Sequence, residues 1–328
     1  MTVNNAPYHH PNPWDMPIDP VTLPDMFAAS AERAPHAPLV DFLGRQYNYG
    51  QLYREATAFA NGLRALGVER GERVGLFLPN VPIYISAYYG AMMAGAVVVN
   101  FSPLYTVDEL AHQVEDSGAR AMVTIDSSAL LPTALKVLDK SSLGQLIVGR
   151  LPAMLPPIKG AAMRLLKRKD LTPIPSRHDV MSWRSVLAAG RGAKGDLPSL
   201  ATDDLALLQY TGGTTGTPKG AMLTHDNLSS NAIQVQALDP FQDERDVIMG
   251  ALPLFHVFAN TCVLNRTVLK GGCIAMVPRF DAGQVLATVD RVKPTSFPGV
   301  PTMYQALLDH KKAAKTDFSS LKVCISGG

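Results

Sequence analysis

The stretch YTGGTTGTPKG, from Tyr210 to Gly220, contains four glycines, four threonines and one lysine. Glycines let backbone N–H groups approach a ligand closely, and threonine hydroxyls donate hydrogen bonds and can ligate Mg²⁺. The lysine adds a mobile positive charge. These properties together suit a polyphosphate. The alternative is a flexible surface loop, which does not explain why four threonines and a lysine lie between two apolar strands.

The stretch differs from two widespread phosphate-binding motifs. It is not G-x-x-x-x-G-K, because Pro218 precedes Lys219, and it is not G-x-G-x-x-G. The sequence therefore disfavours a P-loop GTPase and a dinucleotide-binding unit.

Composition limits the classes of protein to consider. The chain has 328 residues, is 47% hydrophobic and carries a net charge of +2, so it has apolar material for a large core and no strong field for nucleic acid. Cys262, Cys273 and Cys324 are far apart, which disfavours a zinc site or a disulfide framework. The N-terminus lacks a signal-peptide pattern. We therefore predict a protein of the reducing cytoplasm.

A long apolar run must be assigned either to a buried core or to a membrane span. No charged residue occurs between Arg73 and Asp108, but prolines and asparagines interrupt the run. The pattern predicts a strand over 74–78, a helix over 82–94 and a second strand over 96–100. We interpret this as a βαβ unit whose strands are buried on both faces.

The rest of the chain alternates in the same way and predicts an α/β fold. Two amphipathic helices flank a short hairpin over 20–70, and a helix is expected to begin at Thr224. The alternation is expected to break over 151–200. The final strand runs into Gly327 and Gly328, where binding loops of α/β sheets lie, so we expect a chain that continues rather than a natural end. Further strands are predicted at AMVTID, QLIVG, LALLQY and AML, and near 247–251, 273–277, 295–298 and 322–326.

The glycine-threonine stretch resembles the phosphate-binding signature of the adenylate-forming (AMP-binding) superfamily. Other stretches agree in order, from about Asp25 to the last residue: GERVGLFLPN, MMAGAVVVNFSPLYT, LPLFHVFA, FPGVPTMYQALL and CISGG. Within the superfamily the chain is most similar to long-chain fatty-acid–CoA ligases. The resemblance implies the layered α/β sandwich of the N-terminal domain, incomplete at its C-terminal side. Subdomains of about 20–200 and 201–328 are expected, and the C-terminal lid domain is absent.

The resemblance also implies a reaction. A fatty acid carboxylate attacks the α-phosphate of ATP, pyrophosphate leaves, and a CoA thiolate then displaces AMP from the acyl-adenylate. Because the carboxylate is already an anionic nucleophile, catalysis rests on positioning and charge neutralisation. ATP, Mg²⁺ and CoA are therefore the expected cofactor and co-substrates.

Residue roles follow from the same motifs. Lys219 and His256 are the expected catalytic residues, with His256 at the junction of the acyl and nucleotide pockets; the alternative for a lone histidine is a satisfied core group. Thr211 is the expected neighbour of Mg²⁺. The expected nucleotide-phosphate contacts are Thr211, Gly212, Gly213, Thr214, Thr215 and Lys219.

The remaining motifs imply the acyl and CoA sites. Arg279 is expected to meet a CoA phosphate, or else to be a solvated charge at the end of a strand. The start of the loop that meets adenine and the acyl carbonyl is expected at Ser326, Gly327 and Gly328. The expected acyl-channel residues, each with core packing as its alternative, are His256, Phe258, Phe297, Gly299, Val300, Pro301 and Tyr304.

The acid itself is predicted to be an alkyl or aryl carboxylate. Relatives that activate amino acids place an aspartate where this chain has His256, and residues 247–280 contain no Asp or Glu. A buried ammonium without an acidic partner would be costly, which disfavours a free amino acid. Overall likeness favours a fatty acid, with an aryl acid as the alternative.

Residues 151–170 mix basic and apolar side chains. Such a stretch predicts either a peripheral contact with an anionic membrane or a solvated helix with an ordinary basic face. The five basic side chains are Lys159, Arg164, Lys167, Arg168 and Lys169.

Family elements expected downstream are absent from the chain. They include an acidic Mg²⁺ ligand, a ribose-binding aspartate and the lid domain with its catalytic lysine. We therefore expect 1–328 alone to be inactive. The second functional class is a non-catalytic nucleotide- or acyl-binding module.

Overall fold

The computed structural model describes residues 11–193, 196–211, 218–239, 241 and 245–327. Strands and helices alternate along most of this chain. In chain order the strands are β1 (Pro38–Phe42), β2 (Arg45–Asn48), β3 (Arg73–Leu76), β4 (Val97–Asn100), β5 (Ala119–Ile125), β6 (Gln145–Gly149), β7 (Val180–Ser182), β8 (Leu205–Thr211), β9 (Lys219–Thr224), β10 (Val247–Gly250), β11 (Cys273–Met276), β12 (Ser296–Gly299) and β13 (Val323–Ser326).

The helices occupy the intervals between these strands. A π-helix (Asn260–Asn265) joins two of them, and short 3₁₀ turns lie at 151–153, 168–170 and 313–315. The α-helices are α1 (Leu23–Arg33), α2 (Tyr49–Ala65), α3 (Pro82–Met93), α4 (Val107–Ser117), α5 (Leu131–Lys140), α6 (Pro157–Leu166), α7 (Trp183–Gly192), α8 (His225–Ala237), α9 (Val257–Ala259), α10 (Arg266–Lys270), α11 (Ala282–Val292) and α12 (Pro301–Leu308).

The strands form two sheets, which confirms the predicted α/β class. The first has the order β7-β6-β5-β3-β4-β8-β9, and the second has the order β13-β12-β10-β11-β1-β2. Neighbours are parallel except for two antiparallel pairs, β8–β9 and β1–β2. Because parallel strands end at the same edge, each sheet collects its carboxyl-end loops along one side.

The sheets do not divide the chain at residue 200. β1 and β2 come from the N-terminal part but join the second sheet, whereas β8 and β9 come after residue 200 and join the first. The predicted subdomains of about 20–200 and 201–328 therefore do not follow the sheets. Each sheet needs strands from both parts of the chain.

The charge-free run forms the predicted βαβ unit. β3 and β4 are parallel neighbours, and every residue of α3 between them is buried. Tyr88 and Tyr89 on α3 donate hydrogen bonds to Asn260 and Asn265, which follow β10. Because α3 is covered on all sides, it has no polar stripe. None of the helices in the described ranges combines the length and apolar character that a bilayer crossing demands.

Local signals explain several boundaries. Thr224 caps α8 as predicted: its hydroxyl accepts the Asn227 N–H at 3.2 Å, and the Asn227 side chain accepts the Thr224 N–H at 3.1 Å.

The alternation of strands and helices was expected to break over 151–200, and this expectation is wrong, because α6, β7 and α7 lie there. The proline and glycine content of that segment had masked these elements.

Two glycines bring α2 and α7 close together. A Cβ atom built on Gly190 of α7 would lie 1.8 Å from the Ala58 carbonyl oxygen, and one built on Gly62 of α2 would lie 2.5 Å from the Val186 carbonyl oxygen. Backbone therefore packs on backbone at this crossing, which only glycine allows. Phe59 and Trp183 stack beside it with ring centroids 4.4 Å apart.

Candidate functional site

The ends of the glycine-threonine stretch are held by the β8–β9 pair. Thr211 and Lys219 are direct cross-strand partners, so their side chains leave the same face of the sheet, and both are exposed. Next to them the Tyr210 hydroxyl donates to Asp116 Oδ2 at 2.5 Å. Burial, followed by this bond and the aspartate charge, raises the Tyr210 pKa. The Thr211 hydroxyl and the Lys219 ammonium therefore lie side by side at the two strand ends that the stretch connects.

The other predicted phosphate contacts, Gly212, Gly213, Thr214 and Thr215, lie outside the described residues, and so does Gly328. Their roles stay predictions.

His256 lies immediately before α9 and is exposed. Its Nδ1 atom accepts the backbone N–H of Phe258 at 3.3 Å. With Nδ1 used as an acceptor, the neutral ring carries its proton on Nε2, which is left to donate to a ligand. The alternative of a satisfied core histidine does not fit an exposed ring.

The expected acyl residues meet at the carboxyl ends of β12 and β13. Gly299 and Ser326 are register partners, and the Gly327 N–H donates to the Gly299 carbonyl at 3.3 Å. The Phe258 ring lies against Gly327, where a Cβ atom would come within 3.3 Å of its Cζ. His256 therefore lies two residues from a ring that touches this corner of the second sheet.

Tyr304 closes the same corner from α12. Its ring covers Gly299, with a Cβ built there 2.9 Å from the ring, and its hydroxyl lies 2.7 Å from the Phe297 carbonyl and 3.1 Å from the Ile325 carbonyl. Burial raises the Tyr304 pKa to about 12, so the phenol stays neutral. Phe297 is 1% exposed and belongs to the core, which is the alternative stated for it above.

Arg279 follows β11 and is exposed at an apolar cavity of about 510 Å³. Segments that follow β3, β4, β5, β10 and β11 line this cavity, so it lies along the carboxyl edges of both sheets. Among the described residues of the lining, Arg279 is the one that carries a charge. Phe255, the neighbour of His256, also lines it.

A buried chain of polar side chains, which sequence reasoning missed, links β8 to the loop that carries His256. Gln209 Nε2 donates to the Phe255 carbonyl at 3.1 Å, and Asn100 Nδ2 donates to Gln209 Oε1 at 3.2 Å. The Tyr84 hydroxyl then donates to Asn100 Oδ1 at 2.7 Å and lies 3.0 Å from the Leu254 carbonyl.

Asn80 completes this chain from the loop after β3. Its Nδ2 lies 2.8 Å from the Leu252 carbonyl, and its Oδ1 accepts the Leu254 N–H at 2.8 Å. Buried, satisfied amides fix a loop in one conformation. The sequence signal for Asn80 and Asn100 is limited to their being polar residues that interrupt an apolar run.

The arrangement can hold an anion and an apolar group at adjacent places. Lys219 and Thr211 face solvent at one strand pair, and the loop of His256 is tied to the same strand pair through Gln209. An apolar corner and an apolar cavity adjoin that loop. This geometry suits a reaction between a phosphorylated molecule and a largely apolar one.

Comparison with known proteins agrees with this geometry. The family model described as AMP-binding enzyme matches residues 27–328. The chain is 33% identical over 325 residues to a long-chain-fatty-acid–CoA ligase of Bacillus subtilis, covering 98% of this chain and 58% of the relative. It is 37% identical over 299 residues to a feruloyl-CoA synthase of Amycolatopsis, covering 91% of this chain and 52% of that relative.

A solved structure gives the same result for the fold. The long-chain-fatty-acid–CoA ligase of Archaeoglobus fulgidus superposes with a TM-score of 0.77 at 25% identity, over 95% of this chain and 59% of the other. The chain thus spans a little more than half the length of the relatives that it matches. With the family model covering all but its first residues, the chain belongs to the AMP-binding enzyme family.

Proposed function

We propose that the chain is the nucleotide- and acid-binding part of a fatty-acid–CoA ligase. The complete ligase activates a fatty acid with ATP to an acyl-adenylate, and CoA then takes the acyl group as a thioester. The observation that carries this proposal is the link through Gln209 between the Thr211–Lys219 pair and the loop of His256. Two groups that must act on one reacting centre are thereby held by one buried chain of hydrogen bonds.

Lys219 neutralises phosphate charge as the carboxylate attacks the α-phosphate and pyrophosphate leaves. His256 donates from Nε2 at the boundary between the two ligands. The acid extends along the corner formed by Phe258, Gly299 and Tyr304, and Ser326 and Gly327 border its carboxylate end. Arg279 meets a phosphate of CoA at the mouth of the apolar cavity.

Thr211 can supply one of the oxygen ligands of Mg²⁺. Its exposed hydroxyl supplies one oxygen, and the described residues hold no cluster of three acidic, histidine or cysteine side chains that could bind the ion alone. Mg²⁺ is commonly held by few protein ligands together with substrate phosphates and water. When bound, the ion neutralises phosphate charge; Thr211 would help to hold it there.

An aryl acid is the second candidate substrate. The feruloyl-CoA synthase of Amycolatopsis is 37% identical to the chain, slightly more than the Bacillus ligase. A planar ring would fit against Phe258 and Tyr304 as well as an alkyl chain does. The two substrates share every step at the carboxylate and differ only in the shape of the apolar pocket.

Carboxylate-dependent ATP–pyrophosphate exchange tests the proposal. Oleate, ferulate and acetate are compared on 1–328 and on the product of the complete reading frame. We expect exchange with oleate in the longer product and none in 1–328, which lacks the expected downstream elements. Lys219→Ala should slow exchange at least about tenfold, as expected when one charge-assisted contact is lost from the transition state.

Two results would contradict the proposal. Exchange with ferulate but not with oleate would assign the aryl acid. ATP binding without exchange for any acid, in both forms, would favour the non-catalytic binding module.

We propose further that α6 and its flanks contact an anionic membrane surface, in a protein that is otherwise cytoplasmic. Ile158, Leu165 and Leu166 are 85%, 76% and 82% exposed, and basic side chains surround them. Apolar side chains inserted among basic ones bind anionic lipid through both burial and charge. A contact of this kind would bring the chain to the surface in which fatty acids are found.

Replacing the five basic side chains of 151–170 by glutamine tests this contact. We expect sedimentation with phosphatidylglycerol vesicles to fall severalfold at moderate salt, since each basic residue contributes about 1 kcal/mol near an anionic surface. A control variant changes Lys311, Lys312 and Lys315, which are exposed elsewhere. Unchanged vesicle binding in the five-residue variant would refute the contact.

A further inference from the structure

A second cavity, of about 570 Å³, lies at the edge of the first sheet that β6 and β7 form. Residues of β2, α2, α6 and the beginning of α7 complete its walls. The glycine-threonine stretch joins β8 to β9 at the opposite edge. Four strand spacings, roughly 19 Å, separate β6 from β8, so this cavity is distinct from the Thr211–Lys219 pair. Within the part of the chain that the structure describes, it shares no lining residue with the apolar cavity at Arg279.

Four arginines line the cavity: Arg45, Arg150, Arg164 and Arg184. Glu55 is the one carboxylate among the described lining residues, and its Oε1 accepts the Trp183 indole N–H at 2.9 Å. Four positive charges against one negative charge leave a formal excess of +3.

Three of these arginines are available to a ligand. Arg150, Arg164 and Arg184 are exposed, and none forms an ion pair within the described ranges. The nearby carboxylate of Asp126 forms no ion pair with them within those ranges: its Oδ1 accepts the Leu151 N–H at 2.7 Å, and the charges of Arg150 and Arg164 only oppose the rise in its pKa that burial causes. Guanidinium groups present forked donors that match phosphate oxygens.

Arg45 is held in place by the wall itself. Its Nη1 donates to the carbonyls of Ala153 at 2.5 Å and Leu155 at 3.2 Å, and its guanidinium lies 4.9 Å from the centre of the Tyr47 ring. A fixed cation loses little freedom when an anion binds, so this side of the cavity is preorganised.

Apart from Glu55, Gln51 and Ser182, the rest of the wall is apolar or aromatic. Tyr47, Ile83, Met154 and Trp183 line it, and each is at most 8% exposed. In addition α3, of 12 residues, and α7, of 10, both begin at this cavity. Helix N-termini favour negative charge. The surroundings therefore suit a molecule with an anionic head and an apolar part.

We propose that this cavity binds an alkyl phosphate, with its phosphate among the arginines and its alkyl group against Tyr47 and Trp183. The phosphate comes either from a lipid headgroup or from a soluble phosphate ester. The site goes beyond the proposed ligase reaction, because neither the nucleotide nor the acid is placed there.

Trp183 provides a local signal for the test. The chain has two tryptophans, so Trp14→Phe leaves Trp183 as the single indole. In that background, chain 1–328 is titrated with hexyl phosphate, inorganic phosphate, hexanol and dihexanoyl phosphatidic acid below its micellar concentration. We expect saturable changes in Trp183 fluorescence with hexyl phosphate, and at least about tenfold weaker binding of inorganic phosphate and of hexanol. Tighter binding of the phosphatidic acid than of hexyl phosphate assigns a lipid source, and the reverse assigns a soluble ester.

Matched variants make the test specific. Arg150→Gln with Arg184→Gln should weaken hexyl phosphate binding at least about tenfold, through the loss of two charge-assisted contacts. Lys311→Gln with Lys312→Gln removes the same charge at exposed positions outside the cavity and should leave binding within about twofold. Lys219→Ala should also leave it unchanged, which separates this site from the ligase site. Absence of a saturable change, or equal losses in the two double variants, would overturn the proposal.

Discussion

At the scale of single residues, His225 makes stability depend on pH. It is 2% exposed, its Nδ1 accepts the Leu23 N–H at 3.3 Å, and burial lowers its pKa to about 4. In the unfolded chain this ring is protonated near pH 6.5, whereas in the folded chain it is protonated only near pH 4. The stabilisation is therefore complete above about pH 6.5 and is lost as the pH falls toward 4, by roughly 2 kcal/mol at pH 5.

Denaturant unfolding of the wild type and His225→Asn between pH 5 and 8 measures this effect. Asparagine keeps an acceptor for Leu23 and cannot be protonated, so its unfolding free energy should vary less with pH. Equal slopes in the two proteins over that range would show that His225 does not cause the dependence.

At the scale of elements, the crossing of α2 and α7 depends on Gly190. A methyl group there would overlap the Ala58 carbonyl oxygen at 1.8 Å, so the helices must separate. We expect Gly190→Ala to lower the free energy of unfolding by about 1–3 kcal/mol, the usual range for overpacking. Gly192→Ala is the control, since nothing lies within 4 Å of a Cβ atom at that position. Thermal unfolding of both variants decides the matter; similar melting temperatures would contradict close packing at Gly190.

The buried amides make a second prediction at this scale. Asn100→Leu removes the donor to Gln209 Oε1, which leaves that buried oxygen without its partner, whereas the Tyr84 hydroxyl keeps the Leu254 carbonyl as an acceptor. We expect a loss of about 1–3 kcal/mol in unfolding free energy for this unsatisfied group. Asn61→Leu, at a partly exposed position of α2, should change stability little. If chemical denaturation gives the same small change for both, Asn100 does not hold the loop of His256.

The elements also show why prediction succeeded where it did. The strand and helix of the charge-free run were predictable because a uniformly apolar segment with prolines at its turns has few other folded states. The start of α8 was predictable because Thr224 is a favoured N-cap residue, and the structure shows it in a capping box. The contacts of Asn80, Asn100 and Gln209 could not be predicted, because their partners lie on other elements and no spacing along the chain records them. The basic cavity could not be predicted for the same reason, because its arginines lie far apart in the sequence.

At the scale of the whole molecule, the exchange of strands between the sheets makes the two parts of the chain depend on each other. Without 1–200 the second sheet loses β1 and β2, and without 201–328 the first loses β8 and β9. We expect separately produced 1–200 and 201–328 to lack cooperative unfolding and to regain it when mixed, because each part alone exposes apolar core. Circular dichroism during thermal unfolding is the measurement. A cooperative transition in either part alone would mean that its sheet tolerates the missing strands.

The position of β13 also bears on how the polypeptide 1–328 behaves in solution. Among the described strands it is the outermost of the second sheet, and its residues alternate between partly exposed and exposed, with Cys324 among the exposed ones. An uncovered strand edge offers its amide and carbonyl groups to the edge of another molecule. Self-association of 1–328 should therefore grow with concentration, oxidation at Cys324 should make it permanent, and a lysine at that position should suppress it.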